Sequence, residues 1–352
     1  MSIYINGIGS VSAQQLNTRT GEMSFHRADA NRMHCIEPDY SDLVPPMQLR
    51  RMSQVVRYGV AAAKQALKDA GLERSDIITL GTAYGCLADT EVFLTKLLTQ
   101  EESMLTPTAF IQSTHNTVSG QIALLTNCYG HNFTYVHRGH SFETALQEAM
   151  MWLVETSTTS SNEHFSVLTG GIDELTNDSF DIMSRFGTIK KEEDLSKQDS
   201  EGTIVGEGAT LFVVSSDKNE QSYAELLDIH LCHSGDIEAE LDEFLRINQL
   251  QAQDIDTCLV GVNGDNRYDA SILNNIAALT KAQLVNFKTW SGEYPTSNAF
   301  GMALACMMLK HQQIPEEVYY TQTLLRTGNP HYVILYNHYK NKYHSFILLK
   351  RI

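Results

Sequence analysis

Residues 132–153 read NFTYVHRGHSFETALQEAMMWL, a short apolar run, a compact turn with one glycine, and then a helical pattern. Phe133, Thr134, Tyr135 and Val136 are β-branched or aromatic and suit a buried strand. Phe142, Leu146, Ala149 and Leu153 recur at the spacing of one helix face. Between them His137, Arg138, Gly139 and His140 form an elbow from strand to helix. Such an elbow can present a nucleophile, because the turn exposes a side chain while the helix N-terminus stabilises developing negative charge. No Ser, Thr or Cys stands among its four residues.

Working outward, the same alternation of strand and helix fills the chain. Toward the N-terminus, Ile3 to Ile5 run as a strand into Gly7 and Gly9, residues 13–46 read as irregular, and Met47 to Gly71 reads as one long helix. Val56, Val60, Ala63, Leu67 and Ala70 form that helix's apolar face. Ile77, Ile78 and Leu80 lead into the glycine-flanked loop GTAYG, and helical patterns follow at Asp89 to Leu98 and Thr117 to Thr126. Beyond the elbow, Phe165 to Leu168 is a strand ending in GGIDE, and Gly208 to Val214 is another. The run KKEEDLSKQDSE (Lys190 to Glu201) reads as a solvated loop. GEG at 206–208 lacks the spacing of a phosphate loop and reads as a tight turn. The second half alternates again: strands at Tyr223 to Leu231, Thr257 to Val262 and Leu284 to Phe287, helices at Ile237 to Leu245, Ala270 to Leu279 and Ser297 to Lys310, and closing strands at Tyr332 to Tyr336 and Ser345 to Leu349. Short helices between short apolar strands imply mostly parallel sheets covered on both faces. Two such series imply a duplication, divided as 1–216 and 217–352.

The 352 residues, 42% apolar and 19% charged, have a globular composition. A net charge of -16 argues against nucleic acid or an anionic membrane as partner. The opening MSIYINGIGSVS lacks the features of a signal peptide, and no apolar run reaches the roughly 18 residues of a membrane span, so a cytoplasmic protein without membrane insertion is expected. Six scattered cysteines without a CxxC pair suit reduced packing thiols rather than disulfides. Cys86 is read as such a thiol rather than as a displaced nucleophile. His137 and His140, with His131 and His115, lack a zinc-site spacing, and no metal or cofactor is expected.

Taken in order, RRMSQVVRYGVAAAKQALKDAGL, NTVSGQIALLTNCYGHNFTYV, GGIDE, GTIVGEGATLFVV and KTWSGEY resemble the β-ketoacyl synthases of fatty acid and polyketide assembly over nearly the whole chain. The resemblance implies a thiolase-like α/β fold whose two duplicated halves form a five-layered αβαβα architecture. A synthase of that family carries its acyl chain on an elbow Cys and uses two His residues to stabilise the enolate and oxyanion of condensation. Its Cys position falls within His137 to Gly139. Asn263, in GVNGDNRYD, stands about where the first His is expected. Lys288 matches the family Lys, and Glu293 replaces the second His.

Loss of the nucleophile is the mark of chain-length factors, and YINGIGSVSAQ, LTPTAFIQSTHNTVSGQIA and HSFILL look most like the ketosynthase-like proteins of aryl-polyene and flexirubin-type pigment clusters. The resemblance implies a dimer, with a ketosynthase homologue or with itself, built in part through the strand Phe133 to Val136. It leaves three functions open: a partner subunit of an active ketosynthase, an independent acyl-thioester decarboxylase or hydrolase using His137, Arg138, His140, Asn263, Lys288 and Glu293, or an acyl-binding protein. Arg50, Arg51 and Arg57, a basic cluster on an acidic chain, are candidates for docking an acyl carrier protein or for internal ion pairs.

Overall fold

The computed structural model describes residues 1–103, 106–159, 165–195, 197, 199–320 and 329–352, with the backbone alone at 158 and 159. Ten strands share one sheet: β1 (Ile3–Val11), β2 (Ile77–Gly81), β3 (Asn132–Tyr135), β4 (Ser166–Asp173), β5 (Gly208–Ser215), β6 (Ala224–His233), β7 (Thr257–Val260), β8 (Gln283–Asn286), β9 (Tyr332–Tyr339) and β10 (Tyr343–Lys350). Their spatial order is β8-β7-β9-β10-β6-β1-β5-β4-β2-β3.

Counted within each half from its own first strand, both sets read 3-2-4-5-1 from the outer edge inward. In each half the three outer strands run parallel and the next two run antiparallel. The halves join where β1 pairs antiparallel with β6, Ile3 facing Leu226 and Ile5 facing Ala224. We propose the division between halves at 216/217, within the connection from β5 to β6.

The helices α1 (Gln54–Asp69), α2 (Leu87–Thr99), α3 (Pro107–Gln112), α4 (Thr117–Thr126), α5 (Ser141–Thr159), α6 (Ile237–Ile247), α7 (Asn266–Asn274) and α8 (Asn298–His311) flank the sheet among the described residues, with a further short helix at Asn177–Arg185. Strand alternation divides the core. Val333 and Leu335 of β9 join the inner cluster, whereas Ile334 and Tyr336 join an outer one with Leu241 and Phe244 of α6 and Ile272 of α7. In the first half Phe212 and Val214 face inward, and Leu211 and Val213 face the outer cluster under α1 and α4. The inner cluster holds α5 and α8 between the two halves of the sheet, and α8 is buried from Asn298 through Leu309. A helix apolar on all sides is stable only in such a central layer. Helix, sheet, paired central helices, sheet and helix make the five layers.

Several local expectations are corrected. The helix read from Met47 to Gly71 is broken: a single turn, Pro46–Leu49, precedes α1, whose N-cap is Ser53. The strand ending at Leu168 continues through GGID to Asp173, because Gly170 and Gly171 pair in register with Leu211 and Thr210. The segment at 206–208 is extended between two strands rather than a turn, and Gly206 packs on the Ser291 carbonyl. The helix read from Ala270 starts earlier, at Asn266, because the Asp265 carboxylate caps it by accepting from Arg267 N at 3.1 Å. β3 is an edge strand with Phe133 38% exposed, not a buried one. The charged run also departs from a plain solvated loop, since Lys190 is 5% exposed; its positions 196 and 198 lie outside the described residues, as does Leu105 of LTPTAFIQSTHNTVSGQIA.

Candidate functional site

The parallel strands of both halves end toward one place. In the first half β2 runs out into Thr82–Gly85, β3 into the elbow, and β4 into Asp173 and Glu174. In the second half β7 runs out into Gly261–Asp265, β8 into Phe287–Lys288, and β9 into His338 and Tyr339. Sites in α/β sheets form at these carboxyl ends, where loops diverge and side chains converge.

The elbow is tightly closed. His137 N donates to Ser141 Oγ at 2.9 Å, Ser141 Oγ donates to the Arg138 carbonyl at 2.8 Å, and His140 N donates to the His137 carbonyl at 3.0 Å. Arg138 takes φ of 51°, left-handed for a residue with a β-carbon. Gly139 is required by its surroundings: a Cβ there would stand 2.4 Å from Tyr339 Cβ and 2.9 Å from Tyr343 Cβ. The elbow of one half therefore rests against the β9–β10 hairpin of the other.

Lys288 and Glu293 meet. Lys288 Nζ donates to Glu293 Oε2 at 2.9 Å, to Oε1 at 3.1 Å and to the His338 carbonyl at 2.5 Å. Asn263 Nδ2 donates to Glu293 Oε2 at 2.8 Å. All the ammonium's proton donors are thereby directed to oxygens, and the carboxylate's charge is matched inside the fold. Lys190 and residues 203–204 of the first half strap this arrangement. Thr203 Oγ1 donates to the Asn263 carbonyl at 2.7 Å, Lys190 Nζ to the Gly264 carbonyl at 2.8 Å, and Glu293 N to the Ile204 carbonyl at 2.8 Å.

Tyr84 and Tyr339, hydroxyls 3.0 Å apart, sit between elbow and ion pair. Burial raises the Tyr84 phenol, and its hydrogen bond to Tyr339 and the nearby Arg138 charge offset part of that rise. The Tyr84 loop hangs on Asp173, whose carboxylate accepts from Ala83 N at 2.8 Å, Thr82 Oγ1 at 3.1 Å and Thr296 Oγ1 at 2.9 Å. Burial pushes Asp173 up to about 6 despite these donors.

Histidines gather behind the elbow. His140 Nε2 donates to the His344 carbonyl at 3.0 Å, and Tyr343 packs edge-on against His137, His140 and His233. Burial lowers both His140 and His344 to about 4. His338 is also lowered, by burial and then by the Lys288 charge. Among the described residues no group of three or more His, Cys, Asp or Glu is placed to hold a metal ion.

The structure thus brings together Asn263, Lys288 and Glu293, and sets Arg138 and Gly139 beside Tyr84 and Tyr339. His137 and His140 belong to the adjoining Tyr343 cluster. Arg50, Arg51 and Arg57 stand apart: the first two are exposed in the break before α1, and Arg57 Nε donates to the Met52 carbonyl at 3.1 Å. Arg51 borders a groove of about 310 Å³ with Met52, Val56, Asp89 and Leu124. Cys86 is buried, and its thiol is pushed up to about 12 by that burial. Sequence reasoning did not assign Tyr84, Asp173, His338, Tyr339 or Lys190 to the site. GTAYG and GGIDE were visible as strand ends, and the repeat itself was the signal that matching strand ends would face one another.

Residues 25–160 match the family model described as the β-ketoacyl synthase N-terminal domain. No curated protein sequence matches the chain. Solved structures match it over its full length. The ishigamide ketosynthase/chain length factor superposes with a TM-score of 0.75 at 17% identity, covering 100% of this chain and 99% of that one. A β-ketoacyl synthase from Burkholderia phymatum gives 0.77 at 16%, covering 100% and 99%. The ketosynthase ApeO in complex with its chain length factor ApeC, from Xenorhabdus doucetiae, gives 0.73 at 16%, covering 100% and 98%. At these identities the superpositions establish the fold. None of the helices in the described residues is long and apolar enough to cross a membrane. With the match to the β-ketoacyl synthase N-terminal domain over 25–160 and the fold shared from end to end, the chain has the thiolase-like fold and is similar in it to ketosynthases and chain length factors.

Proposed function

We propose that the protein is a ketosynthase-like subunit that does not condense acyl chains itself and pairs with an active ketosynthase, in the manner of a chain-length factor, during assembly of a carrier-bound chain. One observation carries this reading: the charged groups at the synthase-like site are closed on each other. Lys288 directs its donors to Glu293 and to the His338 carbonyl, and Asn263 turns its amide to the same carboxylate. A site that stabilises an enolate or oxyanion needs donors free to point at the developing charge. Here the nearest carboxylate would oppose it. At the elbow stands Arg138 rather than a thiol, so no acyl thioester forms there.

The exposed edge of β3 supports the pairing. Beside it Leu124 of α4 and Tyr129 are exposed, as are Leu98, Phe110 and Ile111 on α2 and α3, and α2 buries none of its residues. Such a surface calls for a cover. Arg50 and Arg51, beside the groove that Arg51 borders, are the proposed contact for an acidic carrier protein. The polyene class of product, a cytoplasmic location and the dimer belong to this proposal.

Mass spectrometry after incubation with malonyl- and acyl-loaded carrier protein, together with a radiolabelled elongation assay, tests the reading. The expected result is no covalent acylation and no product from the isolated chain, with product appearing when a complete ketosynthase co-purifies with it. Turnover by the isolated chain that survives Cys86→Ala and Cys128→Ala and collapses in Glu293→Gln would instead assign a decarboxylase or hydrolase to the altered pocket.

A further inference from the structure

We propose that the recess between α1 and the hairpin of residues 15–24 binds a sugar phosphate, a ligand that the proposed pairing with a ketosynthase does not involve. The recess has a volume of about 540 Å³, and its lining shares no residue with the elbow, the Tyr84 loop or the Lys288–Glu293 pair. Pockets of this size hold small-molecule ligands.

The first observation is an open strand edge. β6 begins at Ala224, opposite Ile5, so from Gly7 onward β1 pairs only with β5. The freed N–H groups are taken up by α1: Ile8 N donates to Asp69 Oδ2 at 3.0 Å and Ser10 N to Gln65 Oε1 at 3.1 Å. The N–H and C=O of one residue in an antiparallel strand point to the same side. The carbonyls of Ile8 and Ser10 are therefore directed to the recess that both residues line, and among the described residues nothing donates to them. An extended peptide cannot add to this edge, because its own carbonyls would need the two N–H groups that α1 already occupies. The opening suits a small molecule.

The second observation is that the walls are already fixed. Thr18 Oγ1 donates to Asp69 Oδ1 at 3.1 Å, and Tyr223 OH donates to the Thr18 carbonyl at 3.1 Å and to Asp69 Oδ2 at 2.7 Å. The turn of the hairpin is closed by Asn17 Oδ1, which accepts from Arg19 N and Thr20 N at 3.2 Å each. The hairpin is thus tied to the end of α1, and a ligand need not order it.

The third observation is which polar groups are left over. Asp69 already accepts from Ile8, Thr18 and Tyr223, Glu22 accepts from Thr20 Oγ1 at 3.1 Å, and Glu37 lies against the Tyr40 hydroxyl, whose ionisation it opposes. The cations differ. The side chains of Arg19, on the hairpin, and Lys68, on α1, are exposed and line the recess, and among the described residues neither has an acceptor. The Gln65 amide nitrogen is likewise without one, its oxygen alone being used. A phosphate monoester carries nearly two negative charges at neutral pH, which matches one cation from each wall. Sugar hydroxyls both donate and accept, so they serve the Ile8 and Ser10 carbonyls and the Gln65 amide together. Leu16, Ile36 and Pro38 give the carbon skeleton an apolar contact, while Glu22 and Glu37 on the same lining disfavour a more highly charged ligand.

Titration calorimetry of the full chain at low salt, with ribose 5-phosphate and glucose 6-phosphate against inorganic phosphate and ribose, tests this. At least one of the two esters is expected to bind with a dissociation constant below about 100 µM, and phosphate and ribose alone at least about tenfold more weakly. Lys68→Met and Arg19→Met should each weaken the ester about tenfold, the loss of one charge-assisted hydrogen bond. Both side chains are exposed and unpartnered, so the thermal midpoints of these variants should match that of the wild type. Lys96→Met, which removes an exposed cation on α2, should leave binding unchanged. Inorganic phosphate binding as tightly as the esters would mean an adventitious ion only and would overturn the ligand class. Esters that bind Lys68→Met and Arg19→Met as they bind the wild type would remove the recess as the site. No binding of either ester by about 1 mM would overturn the proposal outright.

Discussion

Lys288 Nζ lies 2.9 Å from Glu293 Oε2, with both side chains almost wholly out of solvent, at 1% and 8% exposure. Two residues five positions apart thus neutralise each other where the parallel strand ends of both halves meet. Their pairing answers how the fold tolerates a buried carboxylate at this place.

Removing one partner strands the other. Glu293→Gln is expected to lower stability by about 3 kcal/mol, because the buried ammonium then lacks its counter-charge. Lys288→Met should cost a similar amount, and the double variant less than the two together. Chemical denaturation of the four proteins reads this directly. Independent, additive losses would mean that the pair is not coupled.

Strain at the elbow gives a prediction of opposite sign. Arg138→Gly should raise stability by up to about 1 kcal/mol, the relief of left-handed geometry being partly offset by the looser unfolded chain. A thermal midpoint unchanged or lowered would show that the side chain supports the folded monomer.

Gly139→Ala should act the other way. The new methyl would sit 2.4 Å from Tyr339 Cβ, which belongs to the main-chain frame of the hairpin and cannot rotate aside. Overpacking of this kind costs about 1–3 kcal/mol. Amide exchange should also quicken in β9 and β10, and protection equal to that of the wild type in that hairpin would contradict the contact.

The buried histidines set an acid limb. Burial depresses His140 and His344 from 6.5 to about 4, so above pH 6.5 neither the folded nor the unfolded state protonates them. As pH falls from 6.5 toward 4 the unfolded chain binds protons that the folded chain refuses, and stability is lost across that window. Burial raises Asp173 and Asp269 to about 6 and Glu174 to about 7, which works in the opposite sense: the folded state gains protons first, and stability rises as pH falls toward 4. Replacing His140 by Gln isolates the first effect. Relative to the wild type, the variant should be less destabilised at pH 4.5 than at pH 7.5 by about 1–2 kcal/mol, allowing for residual solvent screening. An equal penalty at both values would place His140 outside the acid limb.

Much of the framework was legible in local pattern. Phe142, Leu146, Ala149 and Leu153 stand out as one face because a helix brings every third and fourth residue together, and all four are fully buried. The elbow's lack of a thiol is a matter of composition, and Lys288 and Glu293 are close enough along the chain for their pairing to be anticipated. Boundaries were less legible. Nothing in the periodicity marks the break at Arg50–Ser53, since the apolar spacing of α1 extends back past it, and Gly170 and Gly171 read as a loop until pairing with β5 holds them extended.

The rest was decided by tertiary structure. Asn263 meets Glu293 from 30 positions away and Tyr84 meets Tyr339 from 255, distances at which no sequence period operates. Those contacts exist because two halves of identical strand order aim their parallel strand ends at one place. Whether a charge is solvated is settled the same way: Lys190 sits in a charged run that reads as surface, yet it is buried, its ammonium donating to the Gly264 carbonyl of the other half at 2.8 Å and to the Lys197 carbonyl at 3.2 Å. Local sequence fixes which conformations a segment prefers, whereas burial and partnership depend on what distant segments the topology packs against it.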